Sequence, residues 1–447
     1  MSAPQIRLSE ILAALSYALD ITEGQPEGHA ARSCAIGMRL AQEVGLASDQ
    51  YHDLFYALLL KDLGCSSNAA KVVQLLGSDD FAAKQDMKVC NWSNFPEAVA
   101  FGFRNLAPDR SLLDRARQLV QVGLHGGPFA ARDLFQVRCD RGAAIAQMLG
   151  FPEGTSAAIR TLDEHWDGHG YPDGLRGDAI PLMGRILCLA QTVDIFAMAY
   201  DRETAYRIAH DRSERWFDPR LVQALERFRH DTVFWDGLHD AKIYTTVGHL
   251  ELDDQVRYAD EALLDRIAEA FALVIDAKSS WTFRHSQGVA TIADQLARVL
   301  GWSDQDLRLL RRAALLHDIG KLGVSNRILD KAGPLTTDER AAMQQHVIYT
   351  QQLLSRVPSF CALADSAAAH HERLDGMGYA FGLQGEQITP MMRILAVADI
   401  CDALMADRPY RAGMPVPKVL DIVQREAGKG LCPIVVEALT ACLIEGE

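Results

Sequence analysis

An internal repeat constrains this chain more than any other feature of its sequence. The segment HGYPDGLRGDAIPLMGRIL (169–187) matches MGYAFGLQGEQITPMMRIL (377–395) with a shift of 208 residues. Upstream, LLKDLG (59–64) matches LLHDIG (315–320) with a shift of 256. Self-similarity over such lengths indicates two copies of one fold. Because the two shifts differ, we expect one insertion in the first copy, within about 66–136.

The repeat and the helical pattern together predict the domain organisation. Segments such as LLDRIAEAFALVIDA and VATIADQLARVLG place apolar residues at i, i+3, i+4 and i+7, which indicates amphipathic helices. The best β-like run is AKIYTTV at 241–247. We therefore expect an all-α protein with two tandem helical-bundle domains, 1–228 and 259–447, and a short mixed connector at 229–258.

Composition excludes several classes of function. The formal net charge is −14, from 45 Lys and Arg against 59 Asp and Glu, which argues against a nonspecific coat on nucleic-acid polymers or anionic membranes. No apolar stretch reaches the length of a membrane span, and the start of the chain lacks a signal-peptide pattern. Nine scattered cysteines fit reduced thiols. We expect a cytoplasmic protein.

The second copy concentrates residues that bind divalent metals. All five histidines of 259–447 fall in or beside conspicuous motifs, and two carboxylates accompany them. A single helical histidine is usually a core or surface residue, and an HD dipeptide alone is weak. The whole set, which the first copy has largely lost, instead favours a metal centre, because imidazole and carboxylate suit Fe, Mn or Zn. Its members are His285, His317, Asp318, His346, His370, His371 and Asp399.

These motifs resemble the HD-GYP subgroup of the HD-domain metal-dependent phosphohydrolases. The resemblance covers about 260–440 and rests on HDIGKLGVSNRIL, HHERLDGMGYAFGL, ILAVADICDAL and DRPYR, in that order. It implies HD-type helical bundles, with a degenerate first copy, and a centre of two or three metals. That family hydrolyses phosphodiester bonds of bacterial cyclic dinucleotides, chiefly cyclic di-GMP and in some members 3′,3′-cyclic GMP-AMP.

The resemblance also implies a role for each matching residue. His285, His317, Asp318 and Asp399 would hold one metal, and Asp318, His346, His370 and His371 the second, with Asp318 bridging. The metals would be Fe or Mn, with Mg, Ni or Zn as alternatives, and a hydroxide between them would attack phosphorus. Lys321 would neutralise charge on the phosphoryl oxygens, and Gly378 and Tyr379 would line the substrate groove. Arg408 and Arg411 stand at phosphate-clamping positions, although each could be a solvated charge.

The sequence departs from the family pattern at two positions. Ala380 replaces the proline of the GYP signature, so we expect a looser loop with all metal ligands retained. Trp281 stands where three-metal members carry a glutamate, and tryptophan cannot bind a metal. We therefore expect two ions, and a reaction that stops at the linear dinucleotide.

The first copy has lost the ligands but retained the scaffold. Two cations in a metal pocket would repel the ions they replaced, so we expect a pseudo-domain without metal. Its Lys61 and Arg138 would either pair with Asp62 and Asp163 as a buried ionic core or bind an anion in a sensor module. The residues at the ligand positions are His29, Lys61, Asp62, Arg138, Leu162, Asp163 and Gln191, and Cys65 stands at the Lys321 position.

The main functional hypothesis is therefore a phosphodiesterase that opens cyclic di-GMP to linear pGpG. The alternatives are a 3′,3′-cyclic GMP-AMP phosphodiesterase, another HD-superfamily enzyme acting on a mononucleotide, and a non-catalytic signalling adaptor. Signalling proteins that contact the GYP-like loops and a second copy of the chain are the candidate protein partners.

Overall fold

Helices account for the regular structure of the chain. The computed structural model describes residues 6–90, 95–106, 111, 113, 115, 117, 127–240, 242–252, 256–279, 282, 284–407 and 412–445. Within these residues there are α-helices, short 3₁₀ turns and isolated bridges, but no strand. The all-α fold expected from the helical periodicity is confirmed. The chain divides into two compact units, Met1–Ala259 and Asp260–Glu447.

The first unit contains the longer set of helices. Its α-helices are Leu8–Thr22, His29–Val44, Ser48–Leu60, Ala69–Leu76, Asp80–Val89, Phe95–Asn105, Gly127–Met148, Glu153–Arg160, Leu182–Ala199, Arg202–Asp211, Pro219–Arg227, Thr232–Gly237 and Ile243–Gly248. Of these, Leu182–Ala199 is long and apolar enough to cross a membrane by length and composition alone, but 67% of it is buried within the protein. It packs against His29–Val44 and is a core helix of this unit.

The second unit repeats this plan in fewer residues. Its α-helices are Glu261–Asp276, His285–Val299, Asp304–Leu316, Asn326–Leu329, Thr337–Ser355, Cys361–Ala368, Pro390–Met405, Val416–Glu426 and Pro433–Glu445. Short 3₁₀ turns at Ile319–Gly323 and Gly385–Gln387 connect some of them. The segment within 66–136 that has no counterpart here supplies the helices Asp80–Val89 and Phe95–Asn105 of the first unit.

The β-like run expected in the connector at 229–258 is wrong, because the described residues of this segment include the short helices Thr232–Gly237 and Ile243–Gly248 and no strand. Residues 243–247 of the β-like run lie in the helix Ile243–Gly248, Lys242 is its N-cap, and Ala241 lies outside the described residues. Ile243 and Val247 are both buried and stand one helical turn apart, so a helix puts both on its packed face. Alternation over seven residues could not distinguish this from a strand.

The 229–258 segment also belongs to the core of the first unit. The carboxylate of buried Glu251 accepts hydrogen bonds from the Ser9 hydroxyl at 2.8 Å and the Tyr56 hydroxyl at 2.5 Å. The ring of Trp235 stacks on Phe228, with centroids 5.9 Å apart. These contacts make the segment an integral part of the unit.

Candidate metal centre

A helix end and a tight turn position the central ligands of the second unit. The Ser303 hydroxyl caps the helix Asp304–Leu316 by accepting from the amide of Asp306. The helix stops immediately before His317 and Asp318, so both side chains lie at its carboxyl end. The following 3₁₀ turn, Ile319–Gly323, carries Lys321 three residues after Asp318. Because residues i and i+3 eclipse in a 3₁₀ turn, the Lys321 ammonium reaches Asp318 Oδ2 at 2.5 Å.

A glycine brings the third ligand histidine close to this turn. A Cβ atom on Gly320 would lie 1.9 Å from the carbonyl oxygen of His346 and 2.6 Å from the amide nitrogen of Thr350. Only glycine permits this approach of the helix Thr337–Ser355. The Gly320 amide donates to the Thr350 hydroxyl, which in turn donates to the carbonyl of His317, both at 3.0 Å. The turn and the helix are thereby fixed to each other.

All seven predicted ligands converge in the interior of the second unit. Their ligand atoms form three overlapping groups, and within each group the atoms lie within 4.8 Å of one another. Asp318 is central: its two oxygens lie 3.3 Å from His317 Nε2, 3.6 Å from His346 Nε2 and 3.7 Å from the Nε2 atoms of His285 and His370. The groups are His285, His317 and Asp399; His317, Asp318 and His370; and His346, His370 and His371.

The ring orientation of the histidines fits metal binding. In three of them Nδ1 lies 2.7 Å from the backbone carbonyl three residues earlier, which leaves Nε2 to face the cluster. These are His317 with Ala314, His346 with Met343, and His370 with Ala367. A hydrogen bond at one ring nitrogen fixes the tautomer and the direction of the other. Sequence reasoning predicted these histidines as ligands but did not predict their carbonyl partners.

Protonation states also fit a cationic ligand. Burial lowers the pKa of His346 to about 3 and the pKa values of His370 and His371 below their usual range, so these imidazoles are neutral, as ligation requires. Burial alone would raise the pKa of Asp318, but His317, Lys321 and His346 hold it well below its ordinary value.

Two buried atoms test more directly whether these residues fit a metal ion. Within the described residues, His317 Nε2 and Asp318 Oδ1 are buried and have no hydrogen-bond partner. Buried polar atoms are costly when unpaired, and both belong to the central cluster. A divalent ion would satisfy both, so the residues present fit a metal centre.

The GYP-like loop lies directly over the cluster. The ring of Tyr379 is tilted against His371, with centroids 4.8 Å apart. A Cβ atom on Gly378 would lie 2.6 Å from the Arg373 nitrogen and 2.7 Å from the His371 carbonyl, so glycine is required there. The Tyr379–Ala380 peptide bond is cis, as is Tyr171–Pro172 in the first unit.

Sequence reasoning missed the residue that holds this loop. The carboxylate of buried Glu372, next to His371, accepts from the backbone amides of Phe381, Gly382 and Leu383 at 2.7 to 3.1 Å. In the first unit Glu164 does the same for Asp173, Gly174 and Leu175. The repeat offered a signal for this role: the degenerate copy retained this glutamate although it lost its neighbouring ligands.

Three other predicted positions lie outside the described residues. They are Arg408 and Arg411, the expected phosphate clamps, and Trp281, on which the expectation of two ions rests.

The corresponding place in the first unit contains a buried ionic core. Lys61 pairs with Asp62 and Arg138 pairs with Asp163, one of the two arrangements expected from the sequence. The Lys61 ammonium also donates to His29 Nε2 at 2.9 Å, and burial and Lys61 lower the pKa of His29 to about 4. Leu162 and Gln191, which replace two further ligands, are buried.

The insertion adds two cations that the sequence did not lead us to expect. Lys84 and Lys88, one turn apart on the helix Asp80–Val89, lie 3.2 and 2.6 Å from the carboxylate of Glu23. Burial alone would raise the pKa of Glu23, but Lys88, Lys84 and Arg138 together lower it well below its usual value. Glu23, Asp62 and Cys65 have ligand atoms close enough for a metal, but internal cations surround them.

A helical bundle in which a histidine–aspartate pair at a helix end meets further histidines is the arrangement of an HD-type metal-dependent phosphohydrolase. The chain belongs to the HD domain family, whose model matches residues 127–221 and 269–431. The two matched ranges fall one in each unit, in agreement with the tandem repeat.

The proteins similar to this chain differ in how much of it they match. The 3′3′-cGAMP-specific phosphodiesterase 3 of Vibrio cholerae is 44% identical over 436 residues, covering 98% of this chain and 94% of that protein. A crystal structure of a cyclic GMP-AMP-specific phosphodiesterase of V. cholerae covers 98% of both chains with a TM-score of 0.67 and 40% identity. A cyclic di-GMP phosphodiesterase of Thermotoga maritima is 36% identical over 180 residues, which is 40% of this chain and 49% of that protein.

Proposed function

We propose that this chain is a cyclic-dinucleotide phosphodiesterase whose substrate is 3′,3′-cyclic GMP-AMP. The observation that carries the proposal is the intact set of seven predicted ligands in the second unit, six of them buried and His371 half-buried, grouped around Asp318. Such a cluster has little use in a signalling adaptor, because buried carboxylates without a metal or partner are costly. The activity is therefore assigned to the second unit.

The similar proteins change the order of the two candidate substrates. The sequence motifs led us to place cyclic di-GMP first. However, the relative that matches along 98% of this chain, with both units, is specific for 3′3′-cGAMP. The cyclic di-GMP phosphodiesterase of T. maritima matches only 40% of the chain. Full-length similarity therefore supports cyclic GMP-AMP over cyclic di-GMP as the substrate.

The geometry supports hydrolysis of a phosphodiester bond. A pair of divalent ions would supply Lewis acidity and lower the pKa of a bound water so that it attacks phosphorus at neutral pH. His285, His317, Asp318 and Asp399 would hold one ion. Asp318 would bridge to the second, held by His346, His370 and His371.

The chain's own residues then orient the substrate. The Lys321 side chain is partly exposed, so its ammonium can stabilise negative charge on the phosphoryl oxygens. Tyr379, tilted against His371, supplies an aromatic face beside the cluster of predicted ligands. Water adds to phosphorus, the bond from phosphorus to the 3′-oxygen breaks, and that oxygen takes a proton. The product is a linear dinucleotide with one 5′-phosphate and one 3′-hydroxyl.

Product analysis tests this proposal. The full chain, loaded with Mn²⁺ or Fe²⁺, would be incubated separately with 3′,3′-cyclic GMP-AMP, cyclic di-GMP and a nucleoside monophosphate, and the products separated by chromatography. We expect linear dinucleotide, formed with a higher kcat/KM from cyclic GMP-AMP. A higher kcat/KM for cyclic di-GMP would instead support cyclic di-GMP as the substrate. Metal-loaded protein that cleaves neither cyclic dinucleotide would contradict the proposal. Asp318→Asn, which lacks the bridging charge, should be inactive.

A further inference from the structure

His285 differs from three other ligand histidines in the partner of its second ring nitrogen. His317, His346 and His370 each use a backbone carbonyl three residues earlier. In His285 the Nδ1 atom instead lies 2.6 Å from Oδ2 of Asp402, on the helix Pro390–Met405. Asp402 was not among the residues singled out in the sequence.

The position of His285 explains this difference. His285 is the first residue of the helix His285–Val299. The carbonyl three residues earlier, that of Thr282, accepts from the backbone amide of His285 at 2.9 Å. A side chain from another helix therefore orients the ring.

The surrounding backbone is shaped to admit this carboxylate. A Cβ atom on Gly288 would lie 1.9 Å from Oδ1 of Asp402, so any side chain larger than hydrogen would displace Asp402 or the helix. Gly288 lies on the same helix as His285, one turn further along. The glycine and the aspartate thus form a matched pair.

The first unit retains the pair of histidine and aspartate without the glycine. His29 Nδ1 lies 2.6 Å from Asp194 Oδ2, the positions equivalent to His285 and Asp402. Arg32 stands at the Gly288 position and donates from Nε to Asp194 Oδ1 at 2.6 Å. In the copy without metal ligands, an internal cation neutralises the aspartate. In the second unit Gly288 supplies no such cation, and Asp402 contacts His285.

We propose that Asp402 is a positioning residue of the metal centre. It holds the proton of His285 on Nδ1, directs Nε2 toward Asp399 and Asp318, and makes the imidazole a stronger donor. Nε2 lies 3.1 Å from Asp399 Oδ1 and 3.7 Å from Asp318 Oδ2. Asp402 is not a member of any of the groups of potential ligand atoms. This inference rests on the metal centre of the proposed function.

Metal titration of the full chain tests the inference. Asp402→Asn keeps the size of the side chain and removes its charge. We expect about 10- to 100-fold weaker Mn²⁺ binding at one of two sites by calorimetry, with unchanged helical circular dichroism. Asp402→Glu should recover part of the affinity. Asp421→Asn, which alters an exposed pair with Arg425, is the matched control and should bind as wild type does.

A second variant tests the inference even if Asp402→Asn does not fold. Gly288→Ala retains Asp402 but displaces its carboxylate from His285. It should therefore weaken Mn²⁺ binding at the same site. Affinities within about threefold of wild type in both variants would overturn the inference. Wild-type protein that binds two ions without cleaving a cyclic dinucleotide would contradict the proposed function, whereas weaker binding by Asp402→Asn would still support the role of Asp402.

Discussion

At the scale of single residues, the two copies solve one electrostatic problem in different ways. Each has buried carboxylates that need positive charge nearby. In the first copy Lys61, Lys84, Lys88 and Arg138 supply it from within the chain. In the second, burial alone would lower the pKa of His285, but Asp399 and Asp402 raise it to about 10. The negative charge that raises the pKa of His285 would also attract a metal cation.

The role of Lys321 gives a prediction at this scale. Lys321→Met keeps most of the side-chain length but removes the ammonium. We expect kcat to fall about 100-fold or more, because one preorganised charge at the phosphoryl oxygens is lost, with bound metal unchanged by elemental analysis. Lys429→Met, at an exposed lysine of the same unit, should leave both quantities unchanged. Unchanged kcat in Lys321→Met would show that the lysine has no catalytic role and serves only as an ion-pair partner of Asp318.

The ionic core of the first unit gives a prediction on pH. The pKa of Glu23 in the folded protein lies well below 4.5, so its contribution to stability is present above about pH 4.5 and is lost as the pH falls through the folded value. Glu23→Gln should cost about 3 kcal/mol at pH 7, since it leaves buried cations unpaired. The difference from wild type should shrink on acidification.

Urea unfolding of the full chain between pH 7 and pH 3, followed by circular dichroism, measures this difference. Glu203→Gln, which alters an exposed pair with Arg229, is the control and should show neither effect. A Glu23→Gln deficit that stays constant down to pH 3 would contradict the assigned ionisation.

The sequence singled out the residues that the structure brings together in the cluster, but not every residue that acts on them. His285, His317 and Asp399 were predicted because their residue types and motif context carry chemical information. Lys84 and Lys88 could not be predicted, because the insertion has no counterpart with which to compare them. Glu372 and Asp402 were within reach, since their equivalents Glu164 and Asp194 persist in a copy that has lost metal ligands.

At the scale of elements, close approach between a turn and a helix brings His346 to Asp318. The same contact occurs twice: a Cβ atom on Gly64 would lie 1.9 Å from the carbonyl oxygen of Arg138, as one on Gly320 would from that of His346. The repeat therefore preserves the packing of these elements independently of the metal. This provides two equivalent positions in one chain, only one of which is beside the ligand cluster.

Alanine at each glycine should separate packing from metal binding. Gly320→Ala and Gly64→Ala should each destabilise their unit by about 3 kcal/mol, because backbone atoms must move. Only Gly320→Ala should also weaken Mn²⁺ binding, since it displaces His346 from Asp318. Urea unfolding and metal titration of both variants measure the two effects. Equal metal affinities would show that the approach of this helix does not determine the geometry of the centre.

Helical periodicity predicted most elements, and its failures have physical causes. The segments around 261–276 and 285–299 bury one face, so their pattern has the period of a helix. The run at 241–247 was too short for its period to be decided. The tight approach at Gly320 has no periodic signature at all, because it depends on the absence of a side chain.

At the scale of the whole molecule, the two units should respond differently to metal removal. The second unit gathers carboxylates and imidazoles around the ions that it would bind, so binding stabilises it in proportion to the logarithm of metal concentration over Kd. The ionic core of the first unit is complete within the chain. Hydrogen exchange of the full chain, followed by mass spectrometry, can resolve peptides from each unit.

Adding a chelator to the metal-loaded chain should therefore raise exchange in the second unit alone. For metal at about a thousandfold above Kd the lost stabilisation is about 4 kcal/mol, enough to speed exchange through unfolding of this unit by about three orders of magnitude. The largest changes should fall in peptides containing His317, His346 and His370, whose elements meet at Asp318. Peptides containing Lys61, Lys88 and Arg138 are the internal control. Equal acceleration in both units would show that the first unit's stability also depends on metal, and its ionic core would then not be a self-sufficient replacement for the lost ions.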